Sequence, residues 1–334
     1  MRRFRRALLV ASVTLLLVAG VGSPATADRG SSGYTFAVIG DLPYGDPAAA
    51  AFPGVVDRIN ADRDLELIAH LGDIKSGSTV CSDEYFSFVR GQFDRFTEPL
   101  IYTPGDNEWT DCHRPTNGPY NALERLDAIR ATFFDRPGRT LADRERIRSQ
   151  ARYGYPENVQ WSESEVTFAA VHIVGSNNGM APWTGNTAAT PEQTAEVLGR
   201  TAAAIEGIHD AFDAARNHRS RAVMIMTQAD MFDPTVAQPT YANYYAFTPI
   251  VQTLITEADD FRGPVYLVNG DSHVYNEDQP LAAGSPWLDL YGVDGSTDNL
   301  TRITVEGAAD VDEYLKFTVS RRGVVSWQRV PFGS

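Results

Sequence analysis

Four times in this chain an apolar run stops at a Gly-Asp pair: Gly40-Asp41, Gly72-Asp73, Gly105-Asp106 and Gly270-Asp271. The runs that precede them, 34–40, 65–72, 100–105 and 265–270, read as strands covered on both faces. One Gly-Asp is an ordinary turn. Four at strand ends gather four carboxylates at the sheet edge where α/β proteins bind ligands. Buried side by side, such groups lose water and repel one another, so they do not all stay ionised without a compensating cation. The pattern therefore predicts an α/β sheet with a metal site at the carboxyl ends of its strands.

Two further runs fit the same scheme. Residues 166–175 end at Ser176-Asn177-Asn178, and 222–227 are followed by Gln228 and Asp230. Helical patterning falls between the strands, at 48–61, 82–96, 119–134, 190–217 and 243–259. Thr190-Pro191-Glu192-Gln193 is a helix start signal, with Thr190 as cap and Pro191 in the first turn. Beyond residue 280 the pattern turns β-like, at 301–305, 313–319 and 324–329, and reads as a meander.

Residues 1–27 read as a secretory signal peptide. Arg2, Arg3, Arg5 and Arg6 form a basic start, 7–21 an apolar run, and Ala25-Thr26-Ala27 a cleavage site. The arginine pairs leave the twin-arginine route open, though their flanks fit it poorly. The expected location is secreted or periplasmic, with residues 28–334 as a single domain, since no linker or repeat divides them. No later run is long and apolar enough for a membrane span. Without the four leader arginines, 25 of the 29 basic residues face 43 acidic ones, a formal charge of −18. That charge opposes binding to nucleic acid or anionic membranes. Cys81 and Cys112 are the only cysteines. In an exported protein two cysteines are expected to pair, the alternative being two buried thiols.

In chain order, Gly40-Asp41-Leu42-Pro43, Gly72-Asp73-Ile74-Lys75, Gly105-Asp106-Asn107-Glu108, Gln228 and Gly270-Asp271-Ser272-His273 resemble the motif set of the calcineurin-like metallophosphoesterases, over residues 34–275. The resemblance implies a two-sheet β-sandwich flanked by helices, with the C-terminal strands in the second sheet. It also implies two metal sites that share one Asp. Carried over by position, the first uses Asp41, Asp73 and His273, and the second Asp73, Asp106, Gln228 and Asp271. Four family histidines are missing, at Pro43, Asn107, Gln228 and Asp271. Three of those replacements carry oxygen donors, and Asp106 stands where the family has Asn. Such a set favours one or two hard divalent cations, Mn²⁺, Mg²⁺ or Ca²⁺, over Zn²⁺.

Three more residues are candidates for the chemistry. Asn107 occupies the family's catalytic His position. Lys75 is expected to grip a substrate phosphate, to neutralise Asp106 or Asp271 in place of one metal, or to lie solvated in its loop. His113, beside Cys112, is a candidate substitute acid. Tyr44 and Asp46 are close enough in sequence to Asp41 to reach a metal left short by Pro43. His70 and His172 read as core histidines, His209 and His218 as helix surface, and Trp109 as loop packing. The function expected is an exported phosphoesterase that hydrolyses small-molecule phosphate mono- or diesters through a metal-activated hydroxide. The alternative is a non-catalytic protein that keeps the fold and a structural cation.

Overall fold

The expected runs become strands because each is apolar on both faces and each face meets a separate core. A computed structural model describes residues 33–142, 145–308 and 312–333, so the leader reading for 1–27 lies outside the described residues. In order come β1 (Tyr34–Ile39), α1 (Gly45–Ala61), β2 (Leu67–His70), α2 (Asp83–Phe93), β3 (Leu100–Tyr102) and α3 (Ala122–Phe133). They are followed by β4 (Arg148–Gln150), β5 (Tyr155–Glu163), β6 (Val166–Ala170), α4 (Pro191–His218), β7 (Ala222–Met226), α5 (Thr248–Asp260) and β8 (Val265–Asn269). Last are β9 (Asn276–Asp278), α6 (Pro286–Tyr291), β10 (Leu300–Thr304), β11 (Glu313–Val319) and β12 (Val325–Pro331). All of them fall in one compact unit, Ser32–Ser334.

The strands form two sheets, ordered β12-β11-β1-β2-β3 and β4-β5-β6-β7-β8-β10-β9. Within them β1, β2 and β3 run parallel, as do β6, β7, β8 and β10. Side chains alternate between faces along a strand. Phe36 and Val38 of β1 therefore enter the space between the sheets, where they meet Phe168, Met224 and Val268. Ala37 and Ile39 point the other way, onto Phe52 and Val56 of α1. The outer face of the second sheet packs in the same manner on α4 and α5, through Ile225 and Leu267 against Ile208 and Leu254. The α/β two-sheet sandwich flanked by helices is thus the observed architecture.

The C-terminal strands correct the expectation of a meander in the second sheet. β10 pairs parallel with β8 in the second sheet, whereas β11 returns to pair antiparallel with β1 in the first, Tyr34 opposite Val319. The reason is edge coverage: β11 and β12 close the open side of β1. The sequence reading also missed β5, whose partly exposed run Tyr-Pro-Glu-Asn-Val-Gln-Trp-Ser-Glu lacks a clear apolar period.

The α4 start signal is realised in full. Thr190 Oγ1 accepts from Gln193 N at 3.2 Å and Gln193 Oε1 accepts from Thr190 N at 3.3 Å. Among the described residues, no helix is long and apolar enough to cross a membrane.

Cys81 and Cys112 are bonded and wholly buried, tying the loop after β2 to the loop after β3 across 31 residues. Thiol titration of the denatured, unreduced chain should find no free cysteine. Replacing both by alanine should lower unfolding stability by about 3–4 kcal/mol, the chain-entropy value for a loop of this length. A denaturation midpoint equal to the parent's would show that the cross-link does not stabilise the fold.

Candidate metal centre

The parallel strands of both sheets end on one edge of the sandwich, and their last residues turn sharply there. Asp41, Asp73 and Asp271 take left-handed backbone angles, with φ of 55°, 53° and 76°. Residues other than glycine rarely adopt this region, and where they do they cluster at functional sites. Each turn drives a carboxylate back across the strand ends instead of out to solvent. Two glycines make room for it. A Cβ on Gly105 would collide with the Asp73 carboxylate, and one on Gly270 with that of Asp41.

Oxygen and nitrogen atoms of Asp41, Asp73 and His273 lie within 4.8 Å of one another, as do those of Asp73, Asp106 and Asp271. Asp73 belongs to both groups. These are the two position-by-position sets of the sequence reading, apart from Gln228. Asp41, Asp73 and Asp106 are buried and Asp271 partly so. Among the described residues no lysine or arginine pairs with any of the four; His273 Nε2 stands 3.5 Å from Asp41 Oδ1. Burial, and then the neighbouring carboxylates, push Asp73 well above the usual carboxylate range. Asp41 and Asp271 are raised in the same way, burial first and Asp106 the strongest charged neighbour. Four carboxylates carry the charge that two divalent cations would neutralise, and an oxygen-rich set with one imidazole suits hard cations.

The surrounding bonds orient these oxygens. Asn107 donates from its backbone N to Asp73 Oδ1 (3.1 Å) and from Nδ2 to Asp73 Oδ2 and to the Tyr44 hydroxyl (2.8 Å each). Tyr44 donates to Asp73 Oδ2 at 2.8 Å and stands 3.2 Å from His273 Nε2. Its hydroxyl thus sits beside the first set, next to the position that Pro43 leaves without a ligand, whereas Asp46 is exposed at the start of α1. Glu108 Oε1 accepts from Gly105 N (2.6 Å), Tyr102 Oη (2.7 Å) and Asp73 N (3.1 Å), and so fixes the bend behind the site. Asp230 donates from its backbone to Asp271 Oδ2 at 3.0 Å and is itself held by the buried Arg302.

Several expected roles shift. Gln228 spends its carbonyl on Gly175 N at 2.7 Å and turns Nε2 to Asp106 Oδ1 at 3.3 Å. Its Nε2 thus steers the Asp106 carboxylate, while its oxygen is engaged by the Gly175 backbone. Lys75 has no exposed surface; its Nζ donates to the carbonyls of Asn107 (2.6 Å) and Ser76 (2.9 Å), beneath the loop. Burial lowers it to about 8 against the pull of Glu108 and Asp73. Among the described residues it pairs with neither Asp106 nor Asp271. His113 bonds Thr184 through Nδ1 at 2.8 Å, away from the carboxylates. His70 and His172 are buried, on Leu42 O and Glu157, and Trp109 packs against His172 and Arg200. His218 is exposed, and His209 pairs with Glu257 at 2.6 Å.

Ser176 was missed as a site residue. Its hydroxyl lies 2.8 Å from Asp106 Oδ2 and 3.0 Å from Asp111 Oδ1. Sequence offers only the polar stop after β6 as its signal, because its partners are 70 and 65 residues away.

No protein-family model and no curated protein matches this chain. Among solved structures it is similar to GAP50, "the anchor in the inner membrane complex of Plasmodium", with a TM-score of 0.41, 9% identity and 91% of this chain matched to 90% of that one. It is also similar to TT1561 of Thermus thermophilus, with a TM-score of 0.43, 11% identity and 89% of this chain matched to 99% of that one. Neither likeness bears on what this chain does.

The raised carboxylates set a pH dependence. Without metal, the folded state holds protons that the unfolded chain releases near pH 4. Stability is then greatest below that pH and declines as pH rises towards the folded values. A divalent cation, by replacing those protons, should cancel the decline. Melting temperatures measured from pH 4 to 7.5 in chelator and in Mn²⁺ should diverge as pH rises, and Asp73→Asn should abolish the divergence. Parallel curves for the parent would mean that no cation enters the cluster.

Proposed function

We propose that this chain is an exported, metal-dependent phosphoesterase acting on small phosphate mono- or diesters. The observation that carries the reading is the pair of ligand clusters sharing Asp73, whose carboxylates pair, among the described residues, with no lysine or arginine. Asp41, Asp73 and His273 would hold one cation and Asp73, Asp106 and Asp271 a second. Bound there, divalent cations would supply Lewis acidity, drawing phosphate oxygens in against the negative field and lowering the pKa of water. The motif order, the cysteine bridge and the leader-like residues 1–27 support the export and family parts of the reading.

The residues themselves do the positioning. Asn107 and Tyr44 lock the Asp73 carboxylate, Asp230 locks Asp271, and Ser176 with Gln228 locks Asp106. Lys75 holds the Asn107 carbonyl and acts through it, as a positioning residue. Hydrolysis breaks one P–O bond and must place a proton on the departing oxygen. Asn107 has no acidic proton to give at ordinary pH, and His113 engages Thr184 through Nδ1.

That gap is also what favours a second reading, a non-catalytic protein with a structural cation. One set of rates separates the two. The parent should hydrolyse aryl phosphates and phosphodiesters, whose leaving groups need no acid, faster than alkyl monoesters, and with Mn²⁺ or Mg²⁺ better than Zn²⁺. Asn107→His should speed alkyl esters by about 10²-fold if it restores an acid. No turnover of any ester with any of these metals, in a protein that still binds cation, would establish the structural reading. Rapid alkyl ester cleavage by the parent would identify another acid at work, and His113→Ala is the first variant to examine.

A further inference from the structure

A cavity of about 590 Å³ opens beside the second cluster, a size typical of small-molecule sites. Asp271 lines it, and so does Ser176, whose hydroxyl touches Asp106. The rest of its wall is of two kinds. Tyr244, Tyr245 and Phe247 give it an aromatic side, and Asp230 and Asp233 an acidic one. Among the described residues no lysine, arginine or histidine lines it. Asp230 is neutralised by Arg302 behind the wall. Asp233 accepts from Thr235 N and Oγ1 and, among the described residues, has no ion pair.

The wall is built at a conformational cost, which sets it apart from an incidental hollow. Ser176, Asn177 and Asn178 are three successive left-handed residues, with φ of 51°, 55° and 53°. Each is unfavourable, and runs of them are rarer still. The turn is held from below by Arg200 on Asn178 O (2.8 Å) and by Gln193 on Gly179 O (2.6 Å). From its top, Asn177 Oδ1 accepts from Ala246 N at 3.0 Å and clamps the aromatic segment in place. One strained turn thus joins the carboxylate cluster, through Ser176, to the aromatic wall, through Asn177.

We propose that this cavity receives an alkylated ammonium group carried on the alcohol side of the phosphoester, so that the preferred substrates are phosphate esters of amino alcohols. The inference rests on the phosphoesterase reading and adds its substrate class. An anionic group in this cavity meets aspartates and no base. A neutral apolar group strips water from Asp233 and returns nothing. An alkylated ammonium lies on the tyrosine faces, where cation–π attraction acts, and answers the charge of Asp233.

The test is a calorimetric comparison of three isosteres on the full chain: choline, neutral 3,3-dimethylbutan-1-ol and anionic 3,3-dimethylbutanoate. Choline should bind at least tenfold more tightly than the neutral isostere, with the anion weakest. Asp233→Asn, which keeps the acceptor on Thr235, and Tyr245→Ala, which alters a half-exposed ring, should each weaken choline by about 5- to 30-fold. Neither should change the melting temperature; Asp233→Asn should leave the affinity for the neutral isostere unchanged, and Tyr245→Ala should weaken it less than it weakens choline. Equal binding of choline and its neutral isostere, or choline affinity unmoved by both variants, would overturn the proposal. Repeating the titration on Asp73→Asn in chelator keeps the two levels apart. Choline bound selectively there, with no ester cleaved by the parent, would sink the activity and leave the cavity. Ester cleavage by the parent with no ammonium preference would do the reverse.

Discussion

Asp73 lies against Asp41, Asp106 and Asp271 where water is scarce, and the rest of the structure is arranged around that repulsion. Left alone, the group gives up stability as pH rises, because burial and like charge both favour its protonated form. Among the described residues no lysine or arginine is paired with it. Arg302 goes to Asp230 and Asp278, Arg114 to Asp111, and Lys75 to two backbone carbonyls. Basic groups stand close by, yet each is bonded to something else. A site whose carboxylates lack such partners could hold cations from outside.

The same arrangement explains the glycines and the strained turns. A carboxylate that must point back over the strand ends needs a left-handed turn, and its neighbour needs a strand end without a Cβ. Gly105 and Gly270 serve Asp73 and Asp41 respectively. The cost of these turns is met by burial of the sheets that carry them, and by a ring of hydrogen bonds from Asn107, Tyr44, Glu108 and Asp230. Site and core are therefore one design: the two sheets must pack face to face for Asp41 and Asp271 to meet, since Asp271 N donates to Asp41 Oδ1 at 3.0 Å.

How far these features can be read without coordinates depends on the range of the interaction involved. The six apolar runs, the α4 capping box and the cysteine pair are short-range or compositional signals. They appear in the sequence because backbone period and cap chemistry constrain residues within a few positions, and because two cysteines leave a single possible pairing. The half-polar β5 carries no such period, and its place is set by pairing with β6 across a register from Val159–Ala170 to Glu163–Val166. Gln228 shows the same limit inside the site. Its residue type permits a ligand oxygen, and only the fold brings that oxygen to Gly175 N and its amide nitrogen to Asp106. Lys75 and His113 were plausible reagents by neighbourhood in sequence, but loop packing directs one inward and the other to Thr184.

By itself, then, the sequence determined the strand ends that carry the carboxylates, their order, and the donor chemistry that suits hard cations, because each of these is written within a strand and the residue after it. Tertiary structure alone decided how closely those carboxylates approach and that Tyr44 and Ser176 join them. It also decided the sheet that β11 enters and the aromatic, acid-lined cavity that opens beside Asp271. Those outcomes depend on contacts between residues 29 to 285 positions apart, such as Tyr44 with Asp73 and Tyr34 with Val319. No local preference encodes them, since they exist only once two separate sheets have closed on a common core.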